Sequence, residues 1–275
     1  MNDDKNRLSR NRSLGKATLA LAEGIFEHTV DFGLWLTIYI TEAMIPQSVT
    51  GQNWRAVVAA DEFLRDINYE VVKNAIQTAR KRGWVRVVKR NALPEITKEG
   101  RRRLESKVPQ YDRQRIWDGR MHIVTYDIPE EHKHDRELLR RYLRTIRCGR
   151  LQDSVWVTPY NPIDLVRTFV KSRDLHGTII VSDMGKDGSI GEEDLKELVT
   201  RVYGLEKLSD RYGIWITQVD QLGFASAASL LGFLAILKDD SQLPFALLPE
   251  WWKGDTAYKL AKENLVKVVN KKAIA

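Results

Sequence analysis

The chain has 275 residues, 43% hydrophobic and 29% charged, with a formal net charge of +7. This length allows two or three domains with real cores, and the charge content is that of a soluble globular chain. The single cysteine, Cys148, excludes an internal disulfide and fits a reducing, cytoplasmic compartment. Residues 1–120 carry 22 Lys and Arg against 15 Asp and Glu, whereas residues 121–275 carry 22 of each. The whole excess lies in the first part, as expected of a module that faces a polyanion.

Met1–Ser13 is polar and holds Arg7, Arg10 and Arg12. It reads as a disordered tail or as a basic arm for a DNA backbone, and it has no apolar core of a signal peptide. Leu14–Ile25 is amphipathic, Phe32–Ala43 reads as a buried helix, and Asn53 can cap a further helix through Leu64. The apolar runs Phe32–Ile45 and Phe224–Leu237 fall short of the roughly 20 residues that a bilayer requires, so no membrane partner is expected.

The stretch 68–107 holds 12 basic against 4 acidic residues at positions 69–107. On a helical wheel Val72, Ala75, Ile76 and Ala79 fall on one side, and Glu70, Lys73, Asn74, Gln77, Arg80 and Lys81 on the other. Asn68 is a suitable N-cap and Gly83 a suitable stop. Trp84–Arg90 predicts a strand, Asn91–Pro94 a turn, Glu95–Thr97 a returning strand, and a helix follows from about Lys98. Helix, hairpin, helix is the order of a winged helix. Asn and Gln can pair two ways with adenine, while Lys and Arg reach guanine or phosphate. Double-stranded DNA is therefore the expected partner. Lys73, Asn74, Gln77 and Lys81 are expected to read bases, and Arg80, Arg86, Lys89, Arg90, Arg101, Arg102 and Arg103 to hold phosphates. The competing reading is a solvated charged face on a winged helix that docks protein.

Val108–Trp117 reads as a linker. Met121–Pro129 then predicts a strand and Glu130–Arg147 a helix lined by Leu138, Leu139, Tyr142, Leu143 and Ile146. Ser154–Thr158 is a strand, Pro162–Arg173 a helix and Thr178–Ser182 a strand, an order that suggests a ferredoxin-like split βαβ domain. Gly191–Tyr203, Leu205–Tyr212, Ala225–Leu237 and Asp255–Val269 read as helices. The expected fold class is α+β. It comprises a basic tail 1–13, a winged helix-turn-helix domain 14–107, a linker 108–120, a ferredoxin-like domain 121–184 and a C-terminal helical domain 185–275.

Asp127, at the end of the first central strand, is a weak metal candidate, because one carboxylate is a thin site for a hard cation. The segment Asp183–Asp194 matches a calcium loop at some positions only, and reads as a surface turn that caps a helix. Arg136, Arg140, Arg144 and Arg147, three or four apart, form either an ion-paired face or a stripe for the phosphates of DNA or an acyl-CoA effector. The five histidines have no zinc spacing, and His132 and His134 oppose each other on a helix. No phosphate-cradling glycine motif or nucleophile elbow is present. Neither a cofactor nor an enzyme activity is expected; the alternative is a metal-dependent nuclease using Asp127 of the ferredoxin-like domain.

Four separated motifs occur in order: Ala79–Trp84 with Ile96–Leu104, Trp117–Met121, Gly149–Pro159 and Leu247–Gly254. Together they resemble the phenylacetic-acid catabolon repressor (PaaX) family over roughly residues 30–260. The resemblance implies a homodimeric transcriptional repressor, released from DNA by an aryl-acyl-CoA. It also implies a central domain similar to the small CRISPR-adaptation nuclease subunit, whose metal-binding Asp falls at Asp127. The face Lys73, Asn74, Gln77, Lys81 departs from the family pattern, and residues 184–202 look inserted.

Overall fold

The computed structural model describes the backbone of residues 29–38, 69–86, 95–185, 194–222 and 227–269, and the side chains at 31–37, 74–86, 95–185, 194–221 and 228–262. The helices expected over Leu14–Ile25 and Asn53–Leu64, the cap Asn68, the end of the strand expected over Trp84–Arg90 and the turn expected over Asn91–Pro94 lie outside the described residues. Two compact units result: Met1–Tyr111 with Asp210–Asp240 and Lys253–Ala275, and Asp112–Ser209 with Ser241–Trp252. The C-terminal domain expected over 185–275 is thus divided between the two, and residues 112–120 of the expected linker belong to the second.

In the first unit, α1 (Thr29–Ile38) is apolar almost throughout, and residues 31–37 are all buried. It lies against α2 (Tyr69–Lys81). A Cβ added to Gly33 would sit 2.6 Å from the Cβ of Ala75, so the two backbones approach where both helices carry their smallest side chains. Gly83, at φ 74°, ends α2. Its N–H donates to Arg80 O and that of Trp84 to Ala79 O, the paired bonds of a Schellman cap. Next come β1 (Val85–Arg86) and β2 (Glu95–Ile96), paired antiparallel, and α3 (Lys98–Lys107).

Thr97 joins these parts. Its hydroxyl donates to Gly83 O at 2.8 Å and accepts from Gly100 N at 3.2 Å, capping α3. Its own N–H donates to Trp84 O. A Cβ at Gly100 would meet Trp84 O at 2.2 Å, so only glycine fits under that carbonyl.

In the second unit a turn at Trp117–Met121 leads into the sheet. Gly119 has φ 79°, Asp118 Oδ1 accepts from Arg120 N at 2.9 Å, and Trp117 Nε1 donates to Arg120 O at 2.8 Å. These bonds feed β3 (His122–Asp127). A 3-10 turn, Glu130–His132, runs into α4 (Lys133–Thr145). Then come β4 (Gly149–Gln152), β5 (Val155–Thr158), α5 (Ile163–Arg173) and β6 (Thr178–Asp183). All neighbouring strands are antiparallel in the order β4-β5-β3-β6, which is the ferredoxin-like arrangement. Strand β4 was not foreseen, because it is short and its Arg150 and Gln152 are exposed and polar. Val124, Tyr126, Leu139, Leu143, Trp156 and Val166 form the core between sheet and helices, and Tyr142 stacks on Phe169 at 3.8 Å.

Residues 112–115 are docked rather than free. Arg115 is buried at φ 40°, its Nη1 donates to Leu243 O at 3.1 Å, and its guanidinium lies over the Phe245 ring at 4.6 Å. Asp112 N donates to Gln242 Oε1 at 2.6 Å. The helix α6 (Leu195–Tyr203) starts at Asp194, which forms a capping box with Glu197.

The helix α7 (Leu205–Leu222) runs ten residues past the expected end at Tyr212. Gly213 is no stop: a Cβ there would lie 2.9 Å from Lys253 Nζ, so the glycine accommodates a crossing side chain. In the first unit Tyr212 donates to Asp240 Oδ2 at 3.0 Å and Trp215 Nε1 to Ser229 O at 2.6 Å. The helices α8 (Ala227–Asp239) and α9 (Gly254–Val269) belong to the same unit, and a 3-10 turn, Phe245–Leu247, belongs to the second. Tyr111 stacks on Tyr258 at 3.8 Å and hydrogen-bonds Asp255. No described helix is long and apolar enough to cross a membrane.

Candidate nucleic-acid interface

Helix α2 carries its polar face outward. Asn74, Gln77, Arg80 and Lys81 are exposed, while Ala75 and Ala79 are buried against the rest of the unit. Lys73 is on the same helix, but its side chain is outside the described residues. Thr78 Oγ1 donates back to Asn74 O at 2.9 Å, which leaves the Asn74 amide group itself outside that bond.

The cations around α2 differ in what already holds them. Arg102 is exposed and Arg101 half-buried. Arg86 donates from Nε and Nη2 to Glu95 Oε2, at 3.2 and 3.0 Å, across the β1–β2 pair. That pair is exposed on both sides and weak in water. Lys89 and Arg90 fall outside the described residues. Arg103 leaves the phosphate-holding set. Its Nε donates to Asp31 Oδ1 at 2.6 Å and its Nη2 to Oδ2 at 2.9 Å, with Asp31 fully buried. Its guanidinium also lies 4.3 Å from the centre of the Trp84 ring, with Arg82 at 5.1 Å. Sequence reasoning put Arg103 with its two neighbours because charge alone does not tell which of three consecutive arginines turns inward.

The four arginines of the central domain also differ in what holds them. Arg136 donates to Glu130 Oε2 at 2.6 Å, and this ion pair holds the Glu130 carboxyl below its usual range. Arg140 donates to the Tyr126 hydroxyl at 3.0 Å and to Glu137 Oε1 at 2.9 Å. Arg144 lies over the Trp156 ring at 5.8 Å. Arg147 stands beyond the end of α4, at φ 63°, and donates to Ser241 O at 3.4 Å. The ion-paired reading fits Arg136 and Arg140, and Arg147 is not on the helix.

Asp127 is exposed at the end of β3, and among the described residues it belongs to no group of three metal-ligating side chains. Of the Asp183–Asp194 segment, residues 186–193 lie outside the described residues; Asp183 pairs with Arg120 at 3.3 Å. One cluster escaped the sequence reading. His132, Asp135 and His176 converge, although 41 residues separate Asp135 from His176 and no local spacing announces them. Hydrogen bonds from the His176 ring and backbone hold the Asp135 carboxyl below its usual range.

The described elements, a small antiparallel split-βαβ domain and a helix–hairpin–helix module with an exposed amide and cationic face, define an α+β protein. Residues 114–199 match the family model described as the PaaX protein central Cas2-like domain. Residues 114–199 are thus similar to the central domain of the PaaX family, a resemblance that points to a transcriptional regulator. The match runs through residue 199 and so spans most of the stretch 184–202. Among solved structures, "Uncharacterized protein Rv0674 from Mycobacterium tuberculosis" is similar at 17% identity and a TM-score of 0.48, covering 84% of this chain and 96% of that one. A search of curated proteins gave no match.

Proposed function

We propose that the protein is a cytoplasmic, ligand-responsive transcriptional repressor that binds a partly palindromic operator as a homodimer. The observation that carries this reading is the exposed face Asn74, Gln77, Arg80 and Lys81 on a helix fixed by close packing to α1. A rigid helix that presents two amides and two cations suits the major groove, where bidentate amide and guanidinium contacts read adenine and guanine. In this reading the module is a winged helix. Lys73, Asn74, Gln77 and Lys81 read bases; Arg80, Arg86, Lys89, Arg90, Arg101 and Arg102 hold phosphates. Dimer symmetry sets the half-sites about 34–36 Å, or one helical turn, apart. An acyl-CoA-type effector releases the complex, by the family resemblance.

The test is footprinting and fluorescence anisotropy on the region upstream of the gene. Protection of an inverted repeat, with saturable binding much tighter than to random duplex at the same salt, is the expected result. Indifference between this region and random duplex would remove the repressor reading, and no binding to either at low salt would leave a protein-docking module. Acyl-CoA added to the preformed complex is expected to lower the anisotropy.

A further inference from the structure

Three side chains of metal-ligand type meet at one end of the central domain, and the repressor reading uses none of them. His132 closes the 3-10 turn before α4, Asp135 lies in the first turn of that helix, and His176 lies in the loop between α5 and β6. The His132 and His176 rings stack with centroids 3.9 Å apart and planes 8° from parallel. Asp135 Oδ2 is 2.9 Å from His176 Nδ1 and 3.9 Å from His132 Nδ1, and one potential ligand atom from each residue lies within 4.8 Å of the others.

The backbone that presents His176 is firmly set. Leu175 beside it is buried in the core, and its N–H donates to Val170 O. Gly177 on the other side has φ 94°, and a Cβ there would strike Asp127 O at 2.4 Å. His176 N donates to Asp135 Oδ2 at 3.2 Å, which holds in place the oxygen that faces the two rings. The rings themselves retain freedom: the His176 side chain is 57% exposed and that of His132 35%. Two imidazoles and a carboxylate form the donor set that suits first-row divalent ions. On a tetrahedral zinc ion with bonds of about 2.0–2.1 Å, neighbouring ligand atoms stand about 3.3 Å apart. The observed separations of Asp135 Oδ2 from the two imidazole nitrogens, 2.9 and 3.9 Å, bracket that spacing.

We propose that His132, Asp135 and His176 form a binding site for a divalent transition ion of the zinc type, with its remaining positions left to water. Bound there, the ion clamps the start of α4 to the α5–β6 loop. Three ligands and an open side also make it a site that can be loaded and emptied.

The probe is Zn2+ itself, titrated by calorimetry into the tag-free full chain stripped with chelator, with Co2+ absorption as a second readout. Saturable binding of one equivalent per chain, with a rise in Tm, is expected. Loss of a direct ligand should cost at least the roughly 10–100-fold that follows loss of a supporting partner. His176→Ala and Asp135→Asn are therefore expected to weaken binding by about that much or more, while His134→Ala, outside the cluster, leaves it unchanged. Mapping diethyl pyrocarbonate modification on the wild-type chain needs no variant, and Zn2+ should protect His132 and His176 selectively. Absence of saturable binding in the wild type, undiminished binding in the double variant His132→Ala/His176→Ala, or equal modification with and without Zn2+ would each overturn the proposal.

Discussion

Arg103 grips both oxygens of Asp31, at 2.6 and 2.9 Å, in a site where the carboxylate has no solvent exposure. The pair joins α1 to α3, and the same guanidinium lies over Trp84, just before β1. A buried charge that loses its partner costs about 3–5 kcal/mol. Arg103→Ala is expected to lower stability by about that amount in chemical denaturation, whereas Arg102→Ala, at an exposed position next door, stays within about 0.5 kcal/mol of the wild type. Arg103→Lys is expected to recover only part of the loss, because an ammonium cannot span both oxygens. Similar small effects at 102 and 103 would show that the pair contributes little.

On the proposed reading, the exposed face of α2 and the cations beside it make two kinds of contact with DNA. Asn74→Ala and Gln77→Ala are expected to cost about 1–3 kcal/mol at particular bases while leaving random duplex bound as before. Arg102→Ala should weaken every duplex alike and lower the salt slope by about 1. Competition binding at several salt concentrations measures both. If both classes of substitution affected specific and random DNA equally, the division into readers and phosphate holders would fail.

Much of this organisation was legible in the sequence, for identifiable reasons. The ferredoxin-like domain followed from apolar strands alternating with amphipathic helices, and Gly83 from its place after the last turn of α2. Local periodicity carries that information. It does not carry β4, whose alternate residues are solvent-facing Arg150 and Gln152, nor the continuation of α7 through Gly213, whose small size serves Lys253. Arg103 and the His132–Asp135–His176 cluster were missed for a further reason. Their roles are fixed by partners 72 residues away in one case and 41 in the other, and composition is blind to such pairings.

Gly149 lies beneath α6, and the fit is tight. A Cβ there would come within 2.4 Å of Val202 Cγ1 and 3.0 Å of the Tyr203 ring. The Tyr203 hydroxyl accepts from Gly149 N at 3.2 Å and donates to Val157 O at 2.9 Å, so one phenol satisfies the backbone of two strands. Gly149→Ala is expected to destabilise by about 1–3 kcal/mol through overpacking. Tyr203→Phe, which keeps the ring and loses the bonds, is expected to cost about 1–2 kcal/mol. Hydrogen exchange at Gly149 distinguishes the two, because its amide should lose protection in Tyr203→Phe. Unchanged stability and protection in that variant would mean that α6 is held by its apolar face alone.

Cys148 precedes that glycine and is buried, and burial pushes its thiol up to about 12 from an ordinary value of 9.0. Burial raises the neighbouring phenols of Tyr142 and Tyr203 in the same direction. The unfolded thiol ionises first as pH rises, so the unfolded chain binds fewer protons than the folded one between those two values. Stability contributed by the neutral thiol is full below about pH 9 and falls above it, with a slope that approaches about 1.4 kcal/mol per pH unit. Denaturation between pH 8 and 12 should show this decline, and Cys148→Ala should show a shallower one, the remainder coming from the two tyrosines. A thiol reagent at pH 8 should label the chain only in denaturant. Rapid labelling of the native protein, or identical alkaline slopes with and without the thiol, would show that Cys148 ionises as an exposed cysteine does.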